Sequence, residues 1–299
     1  MEKIQSAIAK ARADRAATRL HDDVPAVETP VPKPSYGPPV QHSTRVASRI
    51  LTTYPDQAVA AALTVRWREF PIFEPVKAHM ARNHVVTFTG APDSVHFDVM
   101  RTRLLQLMRA NGWRRVAITS PGPSCGKSTL ALNLAFSFGR QPNLRTLLLE
   151  LDLRRPSLAR LLGLRKQHHF SRVLDGSEQL HDNAVRIGTN LAIATQSGAE
   201  PQSAEMLHSP AAGTTLDAIE ASYDPAIMLC DLPPVFASDD AMAIMGHMDA
   251  ALIVAGAEMT TIREIDRCER EVADQTNVIG VVLNKSRYQE KDFGYDYGG

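Results

Sequence analysis

Neither sign of charge is in excess in this 299-residue chain, where 33 Lys and Arg face 33 Asp and Glu. That balance argues against the basic surface that sequence-independent nucleic-acid binding needs, so no nucleic acid is expected as a partner. Cysteine is scarce: Cys125, Cys230 and Cys268 are odd in number and widely spaced. They fit neither a disulfide framework nor a paired zinc set, and the chain reads as cytoplasmic. Long apolar runs are missing too. Runs such as those around 147–149, 250–255 and 278–283 fall far short of the ~20 residues that cross a bilayer. The first residues, MEKIQSAIAKARADR, carry scattered charges and no apolar stretch of the signal-peptide kind.

What is present is enough to fold. Apolar residues form 44% of the chain and charged ones 22%, which excludes wholesale disorder. Ile4, Ile8 and Ala11 recur at helical spacing, and a stretch with Pro25, Pro30, Pro32, Pro34, Pro38 and Pro39 follows, where lost backbone donors prevent helix and sheet. Residues 1–83 therefore read as a short helix, a linker and a lead-in: a partly disordered extension that either docks on a partner or anionic surface or stays solvated.

From residue 84 onward, apolar runs of strand length alternate with helical stretches. Candidate strands are Val85–Phe88, Val116–Thr119, Thr146–Leu151, Leu191–Ala194, Ala226–Cys230, Leu252–Ala255 and Val278–Leu283. Uniformly apolar strands separated by helices predict an α/β fold, a parallel sheet with helices on both faces. Ligands then bind at the carboxyl ends of its strands.

Three strand ends carry candidate chemistry. Val116–Thr119 runs into Ser-Pro-Gly-Pro-Ser-Cys-Gly-Lys-Ser-Thr and then a helix, the context of a phosphate-binding P-loop. Backbone N–H groups over Gly122, Pro123, Ser124, Cys125, Gly126 and Thr129 would cradle phosphates, with proline itself contributing only geometry. Lys127 would reach the β/γ oxygens and Ser128 would hold Mg²⁺. Pro121 stands where the first glycine of the usual pattern belongs. The run Leu147–Leu151 ends in Glu150 and Asp152, alternate positions that share a strand face. Ile227–Cys230 ends in Asp231, suited to ordering Mg²⁺ and its water.

These motifs together resemble the bacterial tyrosine kinases of exopolysaccharide and capsule synthesis, in their cytoplasmic form, over residues 84–299. Ser120–Thr129 resembles that family's Walker A loop, Leu147–Pro156 its second acidic motif ending Leu-Arg-Arg-Pro, and Ile227–Pro234 its Walker B strand ending Asp-x-Pro-Pro. Gly122 occupies the place of the extra lysine of partition-type ATPases. The resemblance implies a P-loop NTPase core at 84–287 that uses ATP and Mg²⁺ to phosphorylate tyrosine. Lys127, Glu150, Asp152 and Asp231 would be catalytic, with Ser128, Asp152 and Asp231 on the metal and Arg154 and Asn284 on the nucleotide.

The segment 288–299 holds Tyr288, Tyr295 and Tyr297, half of the six tyrosines in the chain, among acids and glycines. It reads as a tail phosphorylated in trans by a second copy. The resemblance further implies three partner features: an activating membrane polysaccharide co-polymerase (chain-length determinant), recruitment to the inner face of the plasma membrane, and a cognate phosphotyrosine phosphatase. Two departures stand out. Glu150 replaces the first Asp of the acidic motif, and Val95 and Asp98 replace two residues of the oligomerisation signature. The competing readings are a partition-type ATPase, with water as nucleophile, and an ATP-binding assembly scaffold.

Overall fold

The apolar strands alternate between two cores. Ala117, Leu147, Leu149, Met228, Cys230, Ala251 and Ile253 pack on one side of the sheet. Val116, Ile118, Leu148, Ile227, Leu229, Leu252 and Val254 pack on the other. Side chains of successive strand residues point to opposite faces, so a run that is apolar throughout must be covered twice. The computed structural model describes residues 57–287. The opening helix and Pro-rich stretch lie outside the described residues, as does the tyrosine-bearing tail.

The sheet has seven strands: β1 (Arg115–Thr119), β2 (Thr146–Glu150), β3 (Ala184–Ile187), β4 (Leu191–Ala194), β5 (Ile227–Asp231), β6 (Ala250–Gly256) and β7 (Asn277–Asn284). Their order is β3-β4-β2-β5-β1-β6-β7, and every pair is parallel except β3 with β4. The expected α/β sheet is thus mostly parallel, and β3 adds an antiparallel edge that the apolar pattern does not announce.

Helices α1 (Gln57–Glu69), α2 (Lys77–Arg82), α3 (Val86–Thr89) and α4 (Ser94–Asn111) precede β1. The lead-in is part of the packed body, because Trp67 and Phe70 sit in one core and Met80 in the other. The expected strand at Val85–Phe88 is instead the helical turn α3. Thr87 donates its backbone N–H to Asn133 Oδ1 (3.1 Å) and its hydroxyl to Asn133 O (2.9 Å), and Gly90 ends the turn at φ +71°. Contacts with the helix that carries Asn133 override the β-branched local preference.

Helix α5 (Lys127–Gly139) follows β1, and the short helices α6 (Leu158–Leu162) and α7 (Phe170–Leu174) follow β2. Next come α8 (Ser203–His208) and α9 (Pro210–Tyr223) before β5, α10 (Asp240–Met245) after it, and α11 (Ile262–Ala273) between β6 and β7. In register, Ile118 and Glu150 both sit opposite Asp231, so β1, β2 and β5 end side by side and their following loops open onto one rim.

Candidate active site

The turn from β1 into α5 is held by its own polar atoms. Ser120 Oγ donates to Gly122 O (2.7 Å), Cys125 Sγ donates to Gly122 O (3.3 Å), and Thr119 Oγ1 donates to Pro233 O (2.7 Å). Ser124 and Gly126 take left-handed φ values of +64° and +87°. Glycine is favoured at 126 by its left-handed backbone, and a Cβ there would lie 2.4 Å from Asn284 Nδ2 and displace that amide. Asn284, at the end of β7, donates Nδ2 to Cys125 O (2.9 Å). The residue expected on the nucleotide is thus tethered to the phosphate loop itself.

Lys127, 8% exposed, donates Nζ to Asp152 Oδ2 (2.7 Å) and Asp231 Oδ1 (3.3 Å) and lies 3.4 Å from Ser128 Oγ. Burial alone would lower the lysine pKa, but Asp231 and Asp152 outweigh it and hold the ammonium above its ordinary value. Four sequence-predicted residues, Lys127, Ser128, Asp152 and Asp231, therefore converge. One cation faces two carboxylates, and Asp231 Oδ2 is buried without a hydrogen-bond partner. That orphaned oxygen and the surplus negative charge suit a divalent cation. Mg²⁺ is such a cation, usually held by one or two carboxylates together with waters and phosphate oxygens.

Glu150 does not join this group. Its Oε1 accepts the backbone N–H of Ser157 and of Leu158 (2.7 Å), and its Oε2 accepts that of Gln196 (2.8 Å). Fully buried, it has its pKa pushed up to about 7 by desolvation against those three amides. The two acids of the motif are divided: Asp152 bonds Lys127 and the N–H of Arg155 (3.1 Å), while Glu150 fastens the loop after β2 to the segment after β4. Arg154 is not brought to the phosphate loop either. Its Nε lies 3.0 Å from both oxygens of buried Asp240 on α10, which also accepts from Ser203 Oγ. No sequence spacing links Arg154 to Asp240.

The profile of the ParA family, described as the NUBPL iron-transfer P-loop NTPase, matches residues 113–297. The chain belongs to the ParA family of P-loop NTPases. Within this family it is similar to bacterial tyrosine kinases, as the motifs suggest. It is 28% identical over 209 residues to the tyrosine-protein kinase Wzc of Salmonella typhimurium, covering 68% of this chain and 27% of that protein. It is 27% identical over 226 residues to the tyrosine-protein kinase YwqD of Bacillus subtilis, covering 74% and 93% respectively. The chain thus spans about a quarter of Wzc and most of YwqD. The kinase domain of the Escherichia coli tyrosine kinase ETK shares the fold at a TM-score of 0.59 and 23% identity, over 68% of this chain and 80% of that domain.

Proposed function

We propose that this chain is an ATP- and Mg²⁺-dependent protein-tyrosine autokinase that phosphorylates Tyr288, Tyr295 and Tyr297 of a second copy and so regulates exopolysaccharide or capsule export. The observation that carries the reading is Lys127 bridging Asp152 and Asp231 beside an unpartnered carboxylate oxygen. The names of the relatives, Wzc and YwqD among them, favour it over a partition-type ATPase or a passive scaffold.

Lys127 exchanges its carboxylates for β/γ-phosphate oxygens when ATP enters, which frees Asp152 Oδ2. A tyrosine hydroxyl, with a pKa near 10, is neutral and a weak nucleophile at pH 7. Asp152 accepts its proton as the phenolic oxygen bonds the γ-phosphorus and the bond to the β–γ bridging oxygen breaks, releasing ADP. Ser128, Asp152 and Asp231 would hold Mg²⁺, which neutralises the charge that develops on the phosphates. Gly122–Thr129 supplies the backbone cradle. Glu150, engaged by three amides, acts by holding the loop that presents Asp152.

Partners follow the same logic. No helix among the described residues is long and apolar enough to cross a membrane. By likeness to the named relatives, a membrane co-polymerase would recruit and activate this kinase at the inner face of the plasma membrane. A phosphotyrosine phosphatase would reset it. The test is to incubate the purified protein with Mg·ATP and measure phosphotyrosine against free phosphate, alongside Lys127→Met checked for folding by circular dichroism. Tail phosphotyrosine in the wild type and none in the variant is expected. Free phosphate without phosphotyrosine would assign the site to an ATPase, and intact ATP would assign it to a scaffold.

A further inference from the structure

A groove of about 720 Å³ lies beside the β3 edge, between α2, the segment 71–73 and the turn that follows α6. Arg82, Arg165 and Lys166 line it and no lining residue is acidic. Its walls are apolar and open to solvent at Ile72 and Val76, 69% and 65% exposed. One wall is fixed to the sheet: Arg186 N donates to Pro71 O (2.7 Å) and Phe73 N donates to Arg186 O (2.8 Å). The groove is therefore built into the fold.

A fully buried side chain that lines it, His168, has unmet bonding capacity. Its Nδ1 lies 3.0 Å from Thr195 Oγ1, and its Nε2 has no hydrogen-bond partner. Nε2 has an unmet bond in either tautomer, as a donor when the threonine hydroxyl donates to Nδ1 and as an acceptor when that hydroxyl accepts from it. Unsatisfied buried polar atoms are rare, and one bordering this groove points to a ligand with polar groups, while the three cationic side chains around it favour an acidic one.

The geometry points to this groove as a docking site for the acidic, aromatic segment 288–299 of a second copy of the chain. The inference rests on the tail being the phosphoacceptor. The segment is complementary: Glu290, Asp292 and Asp296 outnumber Lys291, and Tyr288, Phe293, Tyr295 and Tyr297 supply rings for the apolar walls. Residues 1–56, the other long part of the chain outside the described residues, carry more Lys and Arg than Asp and Glu and match a basic groove less well.

A second copy is the better donor because β7, which leads into the tail, is at the opposite edge of the sheet from β3. Six strand spacings of about 4.8 Å put some 29 Å between them, a distance that uses most of a twelve-residue tail at about 3.3 Å per residue. A neighbour's tail has no such span to cross. His168 and Thr195 follow β2 and β4, on the carboxyl side that also carries Asp152. The groove's edge strand is three strands from β5, about 14 Å. Seven extended residues from Tyr288 to Tyr295 reach up to about 23 Å. One tail can therefore present Tyr288 at Asp152 while Tyr295 and Tyr297 occupy the groove.

The test is fluorescence anisotropy with a labelled peptide of residues 286–299, titrated into the full chain and into full-chain variants Arg165→Glu/Lys166→Glu and Ile72→Asp, all at exposed positions. At least tenfold weaker binding to both variants is expected, with no displacement of peptide from the parent chain by a non-hydrolysable ATP analogue. The same variants should need a higher protein concentration for half-maximal tail phosphorylation but should phosphorylate a short neutral tyrosine peptide at the parent rate. Parent-level peptide affinity in the variants, or no peptide binding to the parent chain, overturns the docking site. Absence of phosphotyrosine in the parent chain itself would instead refute the kinase reading, and the binding result would stand apart from it.

Discussion

Replacing Glu150 by Asp restores the acid of the related kinases' motif, and the structure predicts that it harms the protein. Aspartate withdraws the carboxylate by one methylene, about 1.5 Å, so the bonds to Leu158 N (2.7 Å) and Gln196 N (2.8 Å) pass out of hydrogen-bond range. Leaving a buried amide N–H without its acceptor costs about 1–3 kcal/mol each. With partial backbone relaxation, a loss of about 2–4 kcal/mol is expected, which lowers the melting temperature by roughly 10 °C at the 2–4 °C per kcal/mol typical of this size. Because the loop from β2 to α6 carries Asp152, phosphoryl transfer should fall with stability. The assay pairs thermal unfolding with phosphotyrosine formation in wild type and variant. If Glu150 were the base of a catalytic acid pair, Asp would match or exceed the wild type in transfer with an unchanged melting temperature, and that result would refute the anchoring argument.

Three further outcomes follow. Glu150 holds its proton up to about pH 7 when folded but only to about 4.5 when unfolded; in that window the folded state binds more protons, so its contribution to stability falls as pH rises from 4.5 to 7, by about 3 kcal/mol. Glu150→Gln removes that slope, and denaturant unfolding at pH 5 and pH 8 should show the variant gaining on wild type by about that amount at the higher pH. Gly126→Ala places a Cβ against Asn284 Nδ2 at φ +87° and should abolish nucleotide binding measured by calorimetry while far-ultraviolet circular dichroism is retained. Asn284→Ala frees Cys125 O and should weaken ATP binding about tenfold, near 1.4 kcal/mol, with little change in unfolding temperature.

Much of the architecture is legible in the sequence because five strands, β1, β2, β4, β5 and β6, are buried on both faces under two helical layers, and the apolar run of β7 continues the pattern at a partly exposed edge. Strand β3, Ala-Val-Arg-Ile, escapes notice because it is short, mixed in polarity and at an edge. Val85–Phe88 misleads because β-branched residues signal a strand locally while Asn133, more than forty positions on, recruits Thr87 into a helical turn. The convergence of Lys127, Ser128, Asp152 and Asp231 could be read from strand ends alone. The division of labour between Glu150 and Asp152 could not, since the partners of Glu150 are backbone amides at 157, 158 and 196 and amides carry no residue signature. The Arg154–Asp240 pair spans 86 positions and is equally silent.

The central claim, transfer from ATP at Lys127 to a neighbour's tail, is tested most directly by mixing chains. Wild-type protein and isotopically heavy Lys127→Met protein are incubated together with Mg·ATP and separated by intact mass, and their tail peptides are mapped. The account predicts phosphate on Tyr288, Tyr295 or Tyr297 of the heavy chain in the mixture and none on the heavy chain alone. Phosphate confined to the light chain, or absent from these tyrosines in both, would contradict it.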